Sequence, residues 1–186
     1  MAMHKLSEPV TVESYNPEWV LWFERLSDFL QSGLHQNAVR IDHVGSTAVP
    51  GMVAKPIIDI DVVIQKSHFE ETKTCLEEVG YSHLGDLGIA GREAFDLVDP
   101  ELRRQFPPHH LYVCDMESNE LHRHIAFREY LRAHPDAADE YSKIKLDLVK
   151  RHSGDREKYI QGKDSLVREI LEAAIKWYQD TPQEGA

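Results

Sequence analysis

Cysteine is scarce: Cys75 and Cys114 are the two thiols in a chain of 186 residues. Both stand among apolar neighbours, in KTCLEEV and LYVCD, so no disulfide framework is expected and buried free thiols are. Such usage fits a reducing compartment, and the cytoplasm is the expected location. No stretch approaches the ~18 consecutive apolar residues of a membrane span. The opening MAMHKLSEPVTVESYNPEW lacks the apolar core of a secretory signal. An excess of positive charge is missing too, since 21 Lys+Arg face 32 Asp+Glu for a net charge of −11. Non-specific nucleic-acid binding must neutralise many phosphates, and docking on anionic lipid needs Lys/Arg clusters, so neither is expected. An acidic protein can still hold a polyphosphate if a divalent cation and a local basic patch meet it there.

The chain is 41% hydrophobic and long enough to bury a core without a staple. At roughly 150 residues per domain, a single domain over 1–186 is expected, with a core at about 14–117 and helices at about 118–178. Trp19, Phe23, Leu26, Leu30 and Leu34 recur at helical steps, so a helix is read from Pro17 to Leu34 with Asn16 as its cap. Strands are read at Ala38–Val44, Ile57–Ile64, Glu93–Val98 and His110–Cys114, with a loop at 85–92 and a turn at Pro107-Pro108. Ser67 and Glu70 read as a capping box for a helix that Gly80 ends. The last third reads as helices at Leu121–Ala133, Asp136–His152 and Asp155–Trp177, followed by a frayed TPQEGA tail.

The segment IIDIDVVI carries the strongest chemical signal. Alternation puts Asp59 and Asp61 on one face and Ile58, Ile60, Val62 and Ile64 on the other. Residues two apart on a strand are roughly 6.5 Å apart, within reach of one metal pair, whose ions lie ~3.5–4 Å apart in phosphoryl-transfer sites. Oxygen donors of this kind suit Mg²⁺ or Mn²⁺. Two solvated acids on an exposed face are the competing reading. The Ile/Val run argues for burial, where paired carboxylates repel and lose hydration unless a cation offsets both costs. Thirteen residues earlier, Gly45-Ser46-Thr47 follows a strand, and such a turn offers N–H groups and hydroxyls to a phosphate.

The stretch HVGSTAVPGMVAKPIIDIDVVI resembles the nucleotidyltransferase superfamily pattern of Gly-Ser, a spacer, then Asp-apolar-Asp-apolar. More closely, it resembles the GrpB family, and the likeness runs on through Gly91-Arg92, His109-His110-Leu111, Arg123-His124, Ala126-Phe127-Arg128, Tyr141, Lys145 and the Tyr159/Lys163 pair. The resemblance implies an α/β (α+β) fold, a mixed sheet flanked by helices with metal carboxylates on adjacent strands. It further implies that Gly45, Ser46 and Thr47 hold the phosphates of an NTP and that Asp59 and Asp61 bind metal. An acceptor hydroxyl then attacks the α-phosphorus and pyrophosphate leaves. Related domains also occur fused to dephospho-coenzyme A kinases, a hint of nucleotide metabolism.

Active members of that superfamily often carry a third carboxylate on a neighbouring strand, and HHLYVC has none on its His110/Tyr112 face. Asp96, Asp115 or, as base, His110 are the candidates. Lys55, Arg92 and Lys145 are the expected phosphate-binding cations, with Arg123, Arg128 and Lys163 also basic and near motif positions. Each lysine of Tyr141/Lys145 and Tyr159/Lys163 shares a helix face with its tyrosine. Eleven histidines raise the question of zinc, but His122 and His124 are two apart on a helix and cannot face one ion together, and no Cys pair or H-x-x-x-H supports a tetrahedral site. The expected function is Mg²⁺-dependent transfer of a nucleoside monophosphate, AMP by preference, from an NTP to an acceptor. The alternative is a nucleotide-binding or sensor module without turnover.

Overall fold

A computed structural model describes residues 10–152 and 155–181. The elements are α1 (Glu18–Leu34), β1 (Ala38–Val44), β2 (Ile58–Ile64), α2 (Phe69–Glu78), β3 (Tyr81–Gly85), β4 (Arg92–Leu97), α3 (Pro100–Gln105), β5 (His109–Asp115), α4 (Asn119–Ala133), α5 (Pro135–His152) and α6 (Arg156–Asp180). The strands form one sheet in the order β1-β2-β5-β4-β3, with β2 and β5 parallel and the other pairs antiparallel. The mixed sheet and helical last third match the expected class. Among the described residues no helix is long and apolar enough to cross a membrane.

Alternation along β2 divides the molecule into two layers. Ile58, Ile60, Val62 and Ile64 point to one side and pack with Leu26, Leu30 and Leu34 of α1, Leu76 of α2 and Leu111 and Val113 of β5. Burying each such side chain stabilises the fold by about 1.5–3 kcal/mol, which makes this layer the main core. Val63 and Cys114 point to the other side, where Leu121 and Ile125 of α4 cover them. A separate apolar cluster joins Val49 and Met52 of the loop after β1 to Leu131, Ala138, Tyr141 and Ile170 of the C-terminal helices. The helical third therefore clamps the loop that follows Gly45.

Several local expectations change. Asn16 does serve the first helix, its Oδ1 accepting the Glu18 N–H at 3.0 Å. Ser67 and Glu70 form no capping box, because residues 66–68 make a 3₁₀ turn and α2 starts at Phe69 with no side-chain cap. The short α3 was not foreseen; Asp99 caps it, accepting N–H groups of Glu101 and Leu102, each at 2.9 Å, with Pro100 in the first turn. Asp-Pro before a basic run was the available signal. The last helix runs to Asp180, and the expectation of a frayed tail falls on 182–186, outside the described residues.

Candidate functional site

Asp59 and Asp61 share the sheet face opposite the main core, and their strand neighbours define the site. Asp59 stands beside Val44 of β1 and His110 of β5, while Asp61 stands beside Asp42 and Tyr112. Each aspartate has its own histidine. His110 Nδ1 lies 2.8 Å from Asp59 Oδ1, and His124 Nδ1, from α4, lies 2.7 Å from Asp61 Oδ2. The two pairs differ in exposure: the side chains of Asp59 and His110 are 31% and 39% exposed, that of Asp61 not at all.

Burial by itself would raise Asp59, but the hydrogen bond and charge of His110, with His124 and Lys55 nearby, hold its carboxyl below the usual range. With Asp59 ionised, His110 Nδ1 must donate, and in the neutral ring Nε2 then carries the lone pair. At Asp61, burial and the carboxylates of Asp42 and Asp59 pull the pKa upward, against the hydrogen bond from His124. Burial would depress His124, yet its bonds to Asp61 and Glu120 outweigh that and push it up to about 9. The inner pair is therefore an ion pair, with Glu120 Oε1 3.4 Å from the other ring nitrogen.

Beside Asp59 lies the Gly45 turn. Gly45 has φ +70, and a Cβ there would overlap the Asp59 carboxylate, so glycine alone allows this approach. Arginines of α4 hold the turn from behind: Arg128 donates to the His43 carbonyl at 2.9 Å and Arg132 donates twice to the Ala48 carbonyl at 2.8 and 3.0 Å. Ser46 Oγ accepts Lys145 Nζ at 3.1 Å, and the Val53 carbonyl accepts the same ammonium. Lys55 and Lys163 both lie 5.5 Å from the Tyr159 ring centre, and Lys145 4.3 Å from that of Tyr141. None of the three lysines is ion-paired to a carboxylate among the described residues. Burial, then the charges of Lys163 and Lys55, bring Lys145 down to about 7. Such a cluster of cations is costly without an anion among them.

Gly45, Ser46, Lys55, Asp59, Asp61, His110 and Lys145 thus come together as expected. Thr47 departs: its hydroxyl is buried, 3.0 Å from His43 Nε2 and donating to the Ile57 carbonyl, so it braces the turn from within. Arg92 lies apart, on β4, with β5 between it and β2. Of the candidate third carboxylates, Asp96 pairs with Arg103 at 2.6 Å and Asp115, ending β5, accepts the Glu117 N–H. Asp42, opposite Asp61, was overlooked, and Arg40 holds it at 2.7 Å. His124 was set aside because His122 is no partner for it; the spacing of Glu120 and His124 on one helix face was the signal. Lys163 was seen only as part of a pattern. A cavity of about 660 Å³, lined by Lys66, Glu70, Arg92, Glu93, Asp115 and Glu117 among others, sits at the opposite ends of β2 and β5.

The donor set bears on a metal. Asp61 Oδ1 is buried without a hydrogen-bond partner, and Asp59 offers a half-exposed carboxylate beside it. Two hard carboxylates fit Mg²⁺ or Mn²⁺. No group of three or more His, Cys, Asp or Glu among the described residues is arranged to hold an ion, so remaining positions would fall to oxygens of a ligand or water.

A family model described as GrpB protein matches residues 9–173. The protein YqkA of Bacillus subtilis is 34% identical over 172 residues, which is 90% of this chain and 48% of YqkA, so the chain spans about half that relative's length. The crystal structure of the conserved protein GrpB from Enterococcus faecalis matches with a TM-score of 0.79 at 33% identity, over 91% of this chain and 99% of that one. Cid1, described as a poly(U) polymerase and solved with its short product ApU, matches with a TM-score of 0.50 at 13% identity, over 74% of this chain and 41% of Cid1. That last likeness is one of fold, and the fold is nucleotidyltransferase-like.

Proposed function

The chain belongs to the GrpB family, and from that premise we propose that it transfers a nucleoside monophosphate from an NTP to an acceptor hydroxyl in the cytoplasm. The observation that carries this reading is the meeting of Lys55, Lys145 and Lys163, none ion-paired to a carboxylate among the described residues, with the Gly45-Ser46 turn and Asp59. ATP is the donor that the family resemblance favours. In this reading the turn and the lysines hold the triphosphate, and Asp59 and Asp61 hold Mg²⁺ or Mn²⁺. A bound divalent cation supplies charge neutralisation at the reacting phosphate.

The remaining steps belong to the chain's own residues. The acceptor O–H gives its proton to His110 Nε2 as its oxygen bonds to the α-phosphorus. The bond from that phosphorus to the bridging oxygen breaks, and pyrophosphate leaves toward the lysines. Asp59 keeps His110 in the tautomer that accepts. His124 fixes the rotamer of Asp61 by bonding one of its oxygens and leaves Oδ1 uncommitted.

The test is pyrophosphate release from each NTP with Mg²⁺ or Mn²⁺ and a panel of acceptors. Release that persists in Asp59→Asn and Asp61→Asn would remove the catalytic assignment. One observation favours a second reading, a nucleotide-binding module without turnover: Tyr112, not an acid, stands beside Asp61 on β5. Metal-dependent NTP binding with no release for any acceptor would select that reading.

A further inference from the structure

Arg92 stands away from the lysines, and its position can be read on its own terms. It opens β4 opposite Cys114, so its side chain shares the sheet face of Tyr112, His110, Asp59 and Asp61. The guanidinium carbon lies 4.2 Å from the centre of the Tyr112 ring. Several other arginines are committed to carboxylates, Arg40 to Asp42, Arg103 to Asp96, Arg123 to Glu120 and Arg128 to Glu129, whereas Arg25 and Arg168 reach backbone carbonyls. Arg92 has no carboxylate at ion-pair distance among the described residues, and its buried Nε has no hydrogen-bond partner. Its charge acts on Glu120, which Arg123 and His124 already engage.

A guanidinium packed on an aromatic ring is fixed in plane, and although Arg92 also bonds the Tyr112 hydroxyl, the rest of its fork of donors suits a planar or tetrahedral oxyanion. Lys145 meets Ser46, on the β1 side of the aspartates, and Arg92 lies beyond β5 on the other side, its guanidinium over Tyr112, whose ring neighbours that of His110. Triphosphate on the lysines leaves Arg92 facing whatever approaches His110 from the β4 side. The geometry points to an acceptor that carries an anion of its own, a carboxylate or a phosphate, besides the hydroxyl that is modified, with Arg92 as the residue that selects for that anion. This rests on the nucleotidyl-transfer reading and adds to it the chemical class of the acceptor.

The experiment begins with protein saturated with Mg²⁺ and α,β-methylene ATP, so that the lysine site is filled. Glycerol 3-phosphate, glycerate and glycerol are then titrated in by calorimetry. Binding of at least one anion and not of glycerol is expected, with phosphate and carboxylate distinguished by the two arms. Arg92→Gln should weaken anion binding on the order of tenfold or more, and Arg92→Lys, which keeps charge but not the fork, by less. Thermal unfolding of each variant checks that it folds. Equal binding of glycerol, no binding of either anion, or anion binding unaffected in Arg92→Gln overturns the inference. So does a loss of nucleotide-analogue affinity in Arg92→Gln as large as that in Lys145→Gln, which would place Arg92 on the triphosphate. Failure of the unaltered protein to bind the analogue would instead overturn the function on which the inference rests.

Discussion

Asp59 and Asp61 differ by two positions on one strand face, and each is bonded to a histidine through Nδ1, yet they occupy different worlds. The outer pair, Asp59 with His110, is open to ligand. The inner pair, Asp61 with His124, is sealed under α4 and backed by Glu120. The same local chemistry thus leaves one pair open and encloses the other, and burial decides which. An exposed pair can lose a partner to water at little cost. A sealed pair cannot, because an unpaired buried charge has nowhere to find solvation.

The largest expected effect lies in the outer pair. His110→Asn should lower the rate of pyrophosphate release about 10²–10⁴-fold, the range for loss of a general base, while urea unfolding moves by less than about 1 kcal/mol. The inner pair should behave in reverse. His124→Leu strands the Asp61 carboxylate and should cost about 3 kcal/mol in the same unfolding measurement; an unchanged midpoint would erase the distinction between the pairs. Next in size is Lys145→Gln, expected to weaken NTP binding by about tenfold through loss of one charge-assisted contact. Because Lys145 titrates near 7 in the free protein and an anion favours its charged form, binding should be strongest below that pH. It should weaken as pH rises, with proton uptake visible in calorimetry across buffers.

The smallest expected effect is a difference between stability profiles. His124, raised from 6.5 to about 9, contributes stability that is complete below 6.5 and lost as pH rises through 9. Lys145 acts with the opposite sign: its folded value of about 7 lies below the ordinary 10.5, so its cost is complete below 7 and fades as pH rises toward 10.5. A single profile mixes the two. Subtracting the His124→Leu profile from that of the unaltered protein should leave a decline confined to about pH 6.5–9, and a flat difference would remove the inner ion pair.

Alternation along IDIDVVI was enough to put both aspartates on one face, and the glycine-serine turn was enough to bring a phosphate-type loop beside them. These are local facts, carried by neighbouring residues. His124 was illegible for the opposite reason: its partner is 63 residues away and meets it only because α4 crosses that sheet face. His122 is no partner for His124, yet His124 meets both Glu120 on its own helix and Asp61 on a strand. Asp42 needed the β1–β2 register, which sequence alternation leaves undetermined by whole steps of two. Lys163 and Lys55 share one tyrosine ring only through the docking of α6.

That docking has a consequence for biogenesis. The contact between Ser46 and Lys145 spans 99 residues, and Lys163 comes from the last helix of the described chain. As a ribosome delivers the protein from its N-terminus, the sheet and both aspartates emerge while Lys145 and Lys163 are still unsynthesised. The proposed polyphosphate site is therefore complete only once the closing helices seat themselves. A polyanion held there would tie those helices to the sheet, and its presence should make the C-terminal helices harder for a protease to pry loose.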